Sequence, residues 1–383
     1  MLKLRYLYIG VIVFALMASC NSSKKLLEQG AYYQSVMAAV DKLQKSPNNK
    51  KSQRALLKAY PLAVQDFLNE IKKAKSNAVH MPWTNIADSY QSLNNMYEAI
   101  KASPKARQII RNPQEYYKQY AEVKGKAAAE QYTAGDRALK KGTREDAKEA
   151  YFYFLNANDF QSGYKDVDRK LQEAKEVATL RVVVEAVPVP SRYFKVSADF
   201  FYDQVDKHLR NIMGRNQFVA FYSEKDARRL KLTKPDQVLK LQFEDFAVGQ
   251  SKAFQKEETV TRDSVNVGEV KMEDGSKKPV LGTVSAKLIV RRLEILSGGI
   301  LSMTINDGYN NTRIFRDEMP GEFLWVAEWA TYKGDERALT DEQLAMSKRV
   351  EMTPPVPQDL FVEFTKPIYS QLTEKLNRYY QNI

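Results

Sequence analysis

Of the 383 residues only one is cysteine, Cys20, and only two are histidine, His80 and His208. A lone cysteine excludes an internal disulfide, so stability has to come from packing. The two histidines are far apart in the chain, and no His-rich or Cys-rich metal spacing exists, which leaves only carboxylate sites. A Ser-His-Asp or Cys-His nucleophilic arrangement is therefore unsupported. Glu244 with Asp245, and Asp335 with Glu336, are adjacent pairs that point to different sides of a strand or turn, so neither resembles a glycosidase dyad. No Walker loop and no GxGxxG opens a helix. No catalytic, cofactor-binding or metal-binding residue is expected, and the chain is not expected to be an enzyme.

Long apolar runs are equally scarce. The one present, Tyr6 to Met17, follows Lys3 and Arg5 and precedes the small residues Ala18, Ser19 and Cys20. It is too short for a spanning helix and reads as a secretory signal over 1–19. Cys20 stands where bacterial lipoprotein signals carry their lipidated residue, and the leader resembles that class, with Met17 in the place usually held by Leu and Leu16 beside it. The resemblance implies a diacylglycerol thioether at Cys20 and a mature protein that begins at a lipid. The alternative is a plain signal peptide that leaves a free thiol. Residues 20–25 then form a polar tether, and the several acyl chains of a lipidated amino-terminal cysteine make anchoring stable. The tether has no Asp directly after Cys20 and no acidic run, so the sorting rules of the class imply an outer-membrane, periplasm-facing location.

What is present is a folded composition, with 44% hydrophobic and 11% aromatic residues, which excludes a disordered chain. The length allows two domains. Net charge is +12, of which +10 remains once Lys3 and Arg5 leave with the leader. An exported chain without clustered stacking aromatics is not expected to bind nucleic acid. The excess reads as a solvated basic surface, or as attraction to anionic headgroups or an acidic envelope partner.

From Leu26 to about Ala178 apolar residues recur at three- and four-residue spacing, as in Leu56, Tyr60, Val64, Phe67 and Leu68, so 26–178 is expected to be helical. Pro47, Pro82, Pro104 and Pro113 should divide it into antiparallel helix pairs. Two stretches, Gly30 to Tyr60 and Gly135 to Tyr151 (Gly135, Gly142, Ala147, Tyr151), resemble tetratricopeptide repeats, which implies a groove for a peptide or partner.

Near Thr179 the period turns strand-like, which marks a boundary between 26–178 and 179–383. A strand Leu180 to Val189, a helix Asp199 to Met213 stopped by Gly214, a strand Phe218 to Tyr222, a helical turn Asp226 to Leu230 and a strand Gln237 to Val248 form a βαβ-type beginning. Thr283 to Thr304 reads as two strands joined by a turn at Ser297, Gly298 and Gly299. With the elements before it, this segment resembles the domain shared by CsgG, LpoB and the amino-terminal domain of TolB. The resemblance implies a protein that positions or activates envelope machinery. Residues 249–282 form an insertion, read as a projecting hairpin with a polar turn at Asp274 and Gly275; in the curli channel such arms build a pore, but here Asp263, Asn266, Glu269 and Lys271 interrupt any lipid-facing stripe. Trp325, Trp329 and Tyr332 should sit on a strand before a polar turn at 334–337. After Pro354, Pro355 and Pro357, a last helix Asp359 to Tyr380 shows Leu360, Phe364, Ile368, Leu372 and Leu376 four apart, a stripe that should cover the sheet.

The expected fold is α+β: an all-helical, repeat-like amino-terminal region, then an α/β domain with a mixed sheet and a carboxy-terminal packing helix. The expected function is that of a lipid-anchored, periplasm-facing accessory or scaffold protein that binds envelope proteins of cell-wall synthesis or secretion; the alternative is a self-associating subunit of an oligomeric outer-membrane channel.

Overall fold

A computed structural model of the protein describes residues 22–76, 79–186, 194–273, 275–381 and 383. The leader, Cys20, Pro188, Pro190 and Asp274 lie outside the described residues. The fold is α+β, and the chain divides into two compact units between Ala178 and Thr179.

The first unit holds eight helices among the described residues: α1 (Ser23–Glu28), α2 (Tyr32–Lys45), α3 (Lys50–Lys75), α4 (Pro82–Ala102), α5 (Pro104–Ile109), α6 (Tyr117–Leu139), α7 (Arg144–Phe160) and α8 (Val167–Ala178). Pro82 and Pro104 open α4 and α5, where the missing N–H is not needed. Pro61 does not break α3: it sits on the exposed side of the helix, so water can satisfy the carbonyl left without its donor. One apolar cluster joins α2 to the first half of α6 through Val36, Leu43, Leu56, Ile86, Leu93 and Ile100. A second joins the last half of α6 to α7 and α8 around Phe154, which is fully buried against Gly135. Glu130 of α6 accepts from the backbone N–H of Thr84 at 2.8 Å, capping α4 from a neighbouring helix. Leu68, expected on the packed stripe of α3, is 40% exposed instead.

The second unit contains β1 (Leu180–Ala186), α9 (Lys195–Arg215), β2 (Val219–Ser223), α10 (Glu224–Arg229), β3 (Gln237–Lys271), β4 (Lys277–Asp307), β5 (Arg313–Gly334), a 3₁₀ turn (Glu336–Ala338), α11 (Asp341–Ser347) and α12 (Pro357–Tyr380). The sheet order is β2-β1-β3-β4-β5, with β1 parallel to β2 and β3, and β3, β4 and β5 antiparallel. One face of the sheet base is covered by α9 and α12. There Leu180, Leu239, Leu301, Met303, Ile305 and Met319 meet the stripe Leu360, Phe364, Ile368, Leu372 and Leu376, each 2% exposed or less. Gly321 lets α12 come this close, because a Cβ there would lie 2.3 Å from the Phe364 carbonyl oxygen. His208 of α9 places Nε2 at 3.2 Å from Asn377 Oδ1 of α12.

Further sequence expectations are corrected. Ser23, Lys24 and Lys25, expected in the polar tether 20–25, open α1, where Ser23 is buried. Gly214 does not stop α9; it lies inside the helix, and the backbone N–H of Asn216 closes the end on Ile212. Ser297, Gly298 and Gly299 do not turn. They run through the middle of β4, paired with Phe323, Glu322 and Gly321 of β5. Neither glycine has a positive φ. What requires glycine at 299 is crowding: a Cβ there would lie 2.6 Å from the Phe246 Cβ, where β3 bulges towards β4.

Candidate functional site: a three-stranded arm

β3 and β4, at 35 and 31 residues, are several times the usual strand length. Their outer parts leave the helix-covered base and continue as an arm. β5 accompanies β4 as far as Gly334 opposite Ala286; beyond that, β3 and β4 continue alone to the pair Lys271 and Lys277. The 22 residues from Gln250 to Lys271 span about 70 Å if fully extended. Gly275, at φ +84°, supports the turn at the tip.

Register assigns the two faces. On the face continuous with the α12-covered core lie Ser251, Ile295 and Trp325 in one row, and Ala253, Leu293 and Ala327 in the next. Ile295 and Ala327 are buried, screened by the half-buried Trp325 and Trp329. The tryptophans are therefore on a strand, as expected, but they cover the arm's own surface beyond the end of α12.

The opposite face changes character along its length. Near the base it is polar, with Arg316 bridging Glu244 and Glu318 at 2.9 Å each. Towards the tip, α11 and the 3₁₀ turn cover Val284, Ala286, Leu288 and Ala330 with Leu339, Leu344 and Met346. Between these two zones Leu296, Leu324, Val326 and Phe254 remain 40%, 46%, 40% and 41% exposed, with the Lys252 ammonium 4.9 Å from the centre of the Phe254 ring. Leu296 faces Leu324 across the strands, and Val326 lies in the next row beside Glu294 and Lys252. This is an apolar patch with a charged rim, in which Arg292 bonds Glu294 at 2.6 Å and Lys256 bonds Glu258 at 2.6 Å.

The cover at the tip is fixed by specific polar contacts. Thr340 and Gln343 form a capping box on α11. Arg337 donates to the Asn266 carbonyl at 2.6 Å and pairs with Asp335 at 2.6 Å, tying the end of β5 to the two-stranded hairpin. Hydrogen bonds from the Arg337 side chain and backbone hold the Asp335 carboxyl down at about 2.

Of the other sequence candidates, Asp245 pairs with Ile300 beside the bulge after Phe243. Glu244 belongs to the Arg316 bridge, Asp335 to the Arg337 clamp, and Glu336 accepts from the Tyr332 hydroxyl at 3.5 Å. His80 is exposed in the helical unit beside a groove of about 550 Å³ lined by Trp83, Lys126, Glu130, Arg137 and Tyr153, whereas His208 bridges α9 and α12 in the other unit. A second groove, of about 710 Å³, lies in the α/β unit between α10 and the sheet, lined by Glu185, Arg228, Lys231 and Pro235. Among the described residues no three His, Cys, Asp or Glu side chains come together as metal ligands, and no helix is long and apolar enough to cross a membrane. The exposed patch was missed from sequence because its members alternate with charges, a pattern shared with any half-buried strand. Compared with known family models and with curated proteins, the chain matches none.

Proposed function

We propose that the chain is a lipid-anchored, periplasm-facing accessory or scaffold protein that binds envelope proteins of cell-wall synthesis or secretion through the three-stranded arm. The observation that carries this reading is the uncovered patch of Leu296, Leu324, Val326 and Phe254 on a projecting sheet. A patch of this kind loses water when a partner covers it, while its charged rim selects which partner fits. The outer edge of β5 adds a row of backbone groups onto which an extended segment can pair. The leader and Cys20 support attachment to a membrane through lipid. In this reading the protein acts by positioning a partner and performs no chemistry itself.

The test is a crosslinked pull-down from membranes with three forms: the intact chain, Cys20→Ala and Val326→Glu. The reading expects a discrete envelope protein with the intact chain, less of it without the anchor, and none with the charged patch. Recovery of the same partner with Val326→Glu would overturn it.

A second reading, a subunit of an oligomeric channel, is favoured by the arm tip, where Val267, Val270, Val280 and Leu281 are 48%, 52%, 39% and 62% exposed. Detergent-resistant rings in electron micrographs would support it, and monomers would count against it.

A further inference from the structure

The helical unit leaves one helix with a face that its packing does not use. In α3, Ala55, Leu56, Ala59, Ala63, Ile71 and Ala74 are buried. At about 100° per residue, Lys50, Arg54, Lys58, Lys72 and Lys75 gather on the opposite side with Leu57 and Leu68. Lys51, Lys73 and Leu62 flank that row. Leu57, Leu62 and Leu68 are 58%, 37% and 40% exposed. None of these seven cations is in an ion pair or hydrogen bond through its side chain among the described residues. The two acids of the helix lie towards its packed side, where Glu70 accepts from Ser89 at 3.4 Å.

The surrounding charge has the same bias. Residues 22–118 contain 16 Lys and Arg against 7 Asp and Glu, while 119–178 contain 11 of each. Three exposed leucines set among the cations give this face an apolar component beside its charge. Pairing with an acidic protein would account for the charges and leave the leucines to be fitted one by one. A bilayer accommodates both at once: lysine stems lie along the interface with their ammonium groups at phosphates, and leucines enter the headgroup boundary. The helix offers a row about 38 Å long for this.

We propose that the outward face of α3 docks on a bilayer bearing anionic headgroups and holds the helical unit against that surface. The proposal rests on the lipoprotein reading only for which bilayer is met; the face itself is a property of the folded unit.

The experiment uses the full chain as Cys20→Ala, so that no acyl chain contributes, with vesicles of zwitterionic lipid alone or with phosphatidylglycerol added. The leader is common to every form and cancels in the comparison. Partitioning to anionic vesicles should exceed that to zwitterionic ones and weaken as salt rises. Arg54→Gln, Lys58→Gln, Lys72→Gln and Lys75→Gln together should lower it by several hundredfold, at roughly fivefold per charge. Leu57→Ser with Leu68→Ser should give a smaller loss that persists in high salt. Lys231→Gln, Lys234→Gln, Lys271→Gln and Lys278→Gln, in the other unit, should change little. If the fourfold α3 variant loses helix content, Lys58→Gln with Lys72→Gln decides instead, with a loss of about 25-fold. Equal binding to both vesicle types, undiminished binding by the α3 variant, an equal loss in the control, or retention by an acidic protein and not by vesicles would each overturn the proposal. Acyl mass at Cys20, measured separately in the wild-type chain, reports on the lipoprotein reading independently of all these outcomes.

Discussion

The base of the sheet and its arm share β3, β4 and β5, yet the same alternation makes core in one and leaves surface in the other. In the base, Leu301, Met303 and Ile305 alternate under α12 and are fully buried. In the arm, Leu296, Leu324 and Val326 alternate in the same way and stand at least 40% exposed. Strand periodicity is alike in both, so the difference lies in what covers the strands. The patch lies on the face opposite α12, where α11 and the 3₁₀ turn cover Val284, Ala286, Leu288 and Ala330 and stop short of Leu296, Leu324 and Val326.

That comparison predicts effects of very different size at chemically similar positions. Leu372→Ala, on the packed face of α12, should cost about 2–5 kcal/mol in unfolding free energy, read by denaturant titration, because it opens a cavity in a closed core. Gly321→Ala should cost about 1–3 kcal/mol in the same assay, since the added Cβ meets the Phe364 carbonyl and α12 must shift. Leu324→Ser on the arm should change stability by less than about 0.5 kcal/mol while weakening partner capture. A large stability loss from Leu324→Ser would show that the patch is covered within the folded chain and would break the comparison. Arg337→Ala should leave the midpoint near its original value and speed amide hydrogen exchange in the hairpin beyond Val284, where the Asn266 anchor is lost.

The smallest effect concerns pH. The Asp335 carboxyl is held at about 2 by Arg337, below its ordinary value near 3.8. A lowered folded-state value means the pair contributes fully above about pH 4 and loses its contribution as pH falls towards 2. Hairpin protection, taken relative to the intrinsic exchange rate at each pH, should therefore fall more across that window in the wild type than in Arg337→Ala. The midpoint of Asp335 itself can be followed by NMR.

Much of the α/β base was legible because local and tertiary preferences agree there. The four-residue spacing of α12 and the β1-α9-β2 order follow directly from period and β-branching. The places that were not legible are those where a distant contact overrides a local signal. Gly298 and Gly299 look like a turn in isolation, but Phe246 and Gly321, far away in the chain, approach them too closely for a side chain. Pro61 and Pro367 lie inside α3 and α12, on exposed sides where their lost hydrogen bonds are harmless, and the last helix was expected to run through Pro367. The full length of β3 was hidden by its bulges after Phe243 and Ala247, which reverse the alternation and imitate a strand end near Val248. The capping box before α11 was present as Thr340 and Gln343 in sequence, in a helix too short to show a period. The basic face of α3 was read only as scattered charge, since its grouping appears when the buried positions of that helix are known.

The most direct measurement places a photocrosslinking residue at Leu324 in the membrane-bound protein, with a second at Val350, 81% exposed and outside the three strands, as the reference. The scaffold reading predicts a discrete adduct with an envelope protein from position 324, none from 350, and loss of the adduct when Val326→Glu is added. Adducts of equal yield from both positions, or an adduct from 324 that survives Val326→Glu, would contradict it.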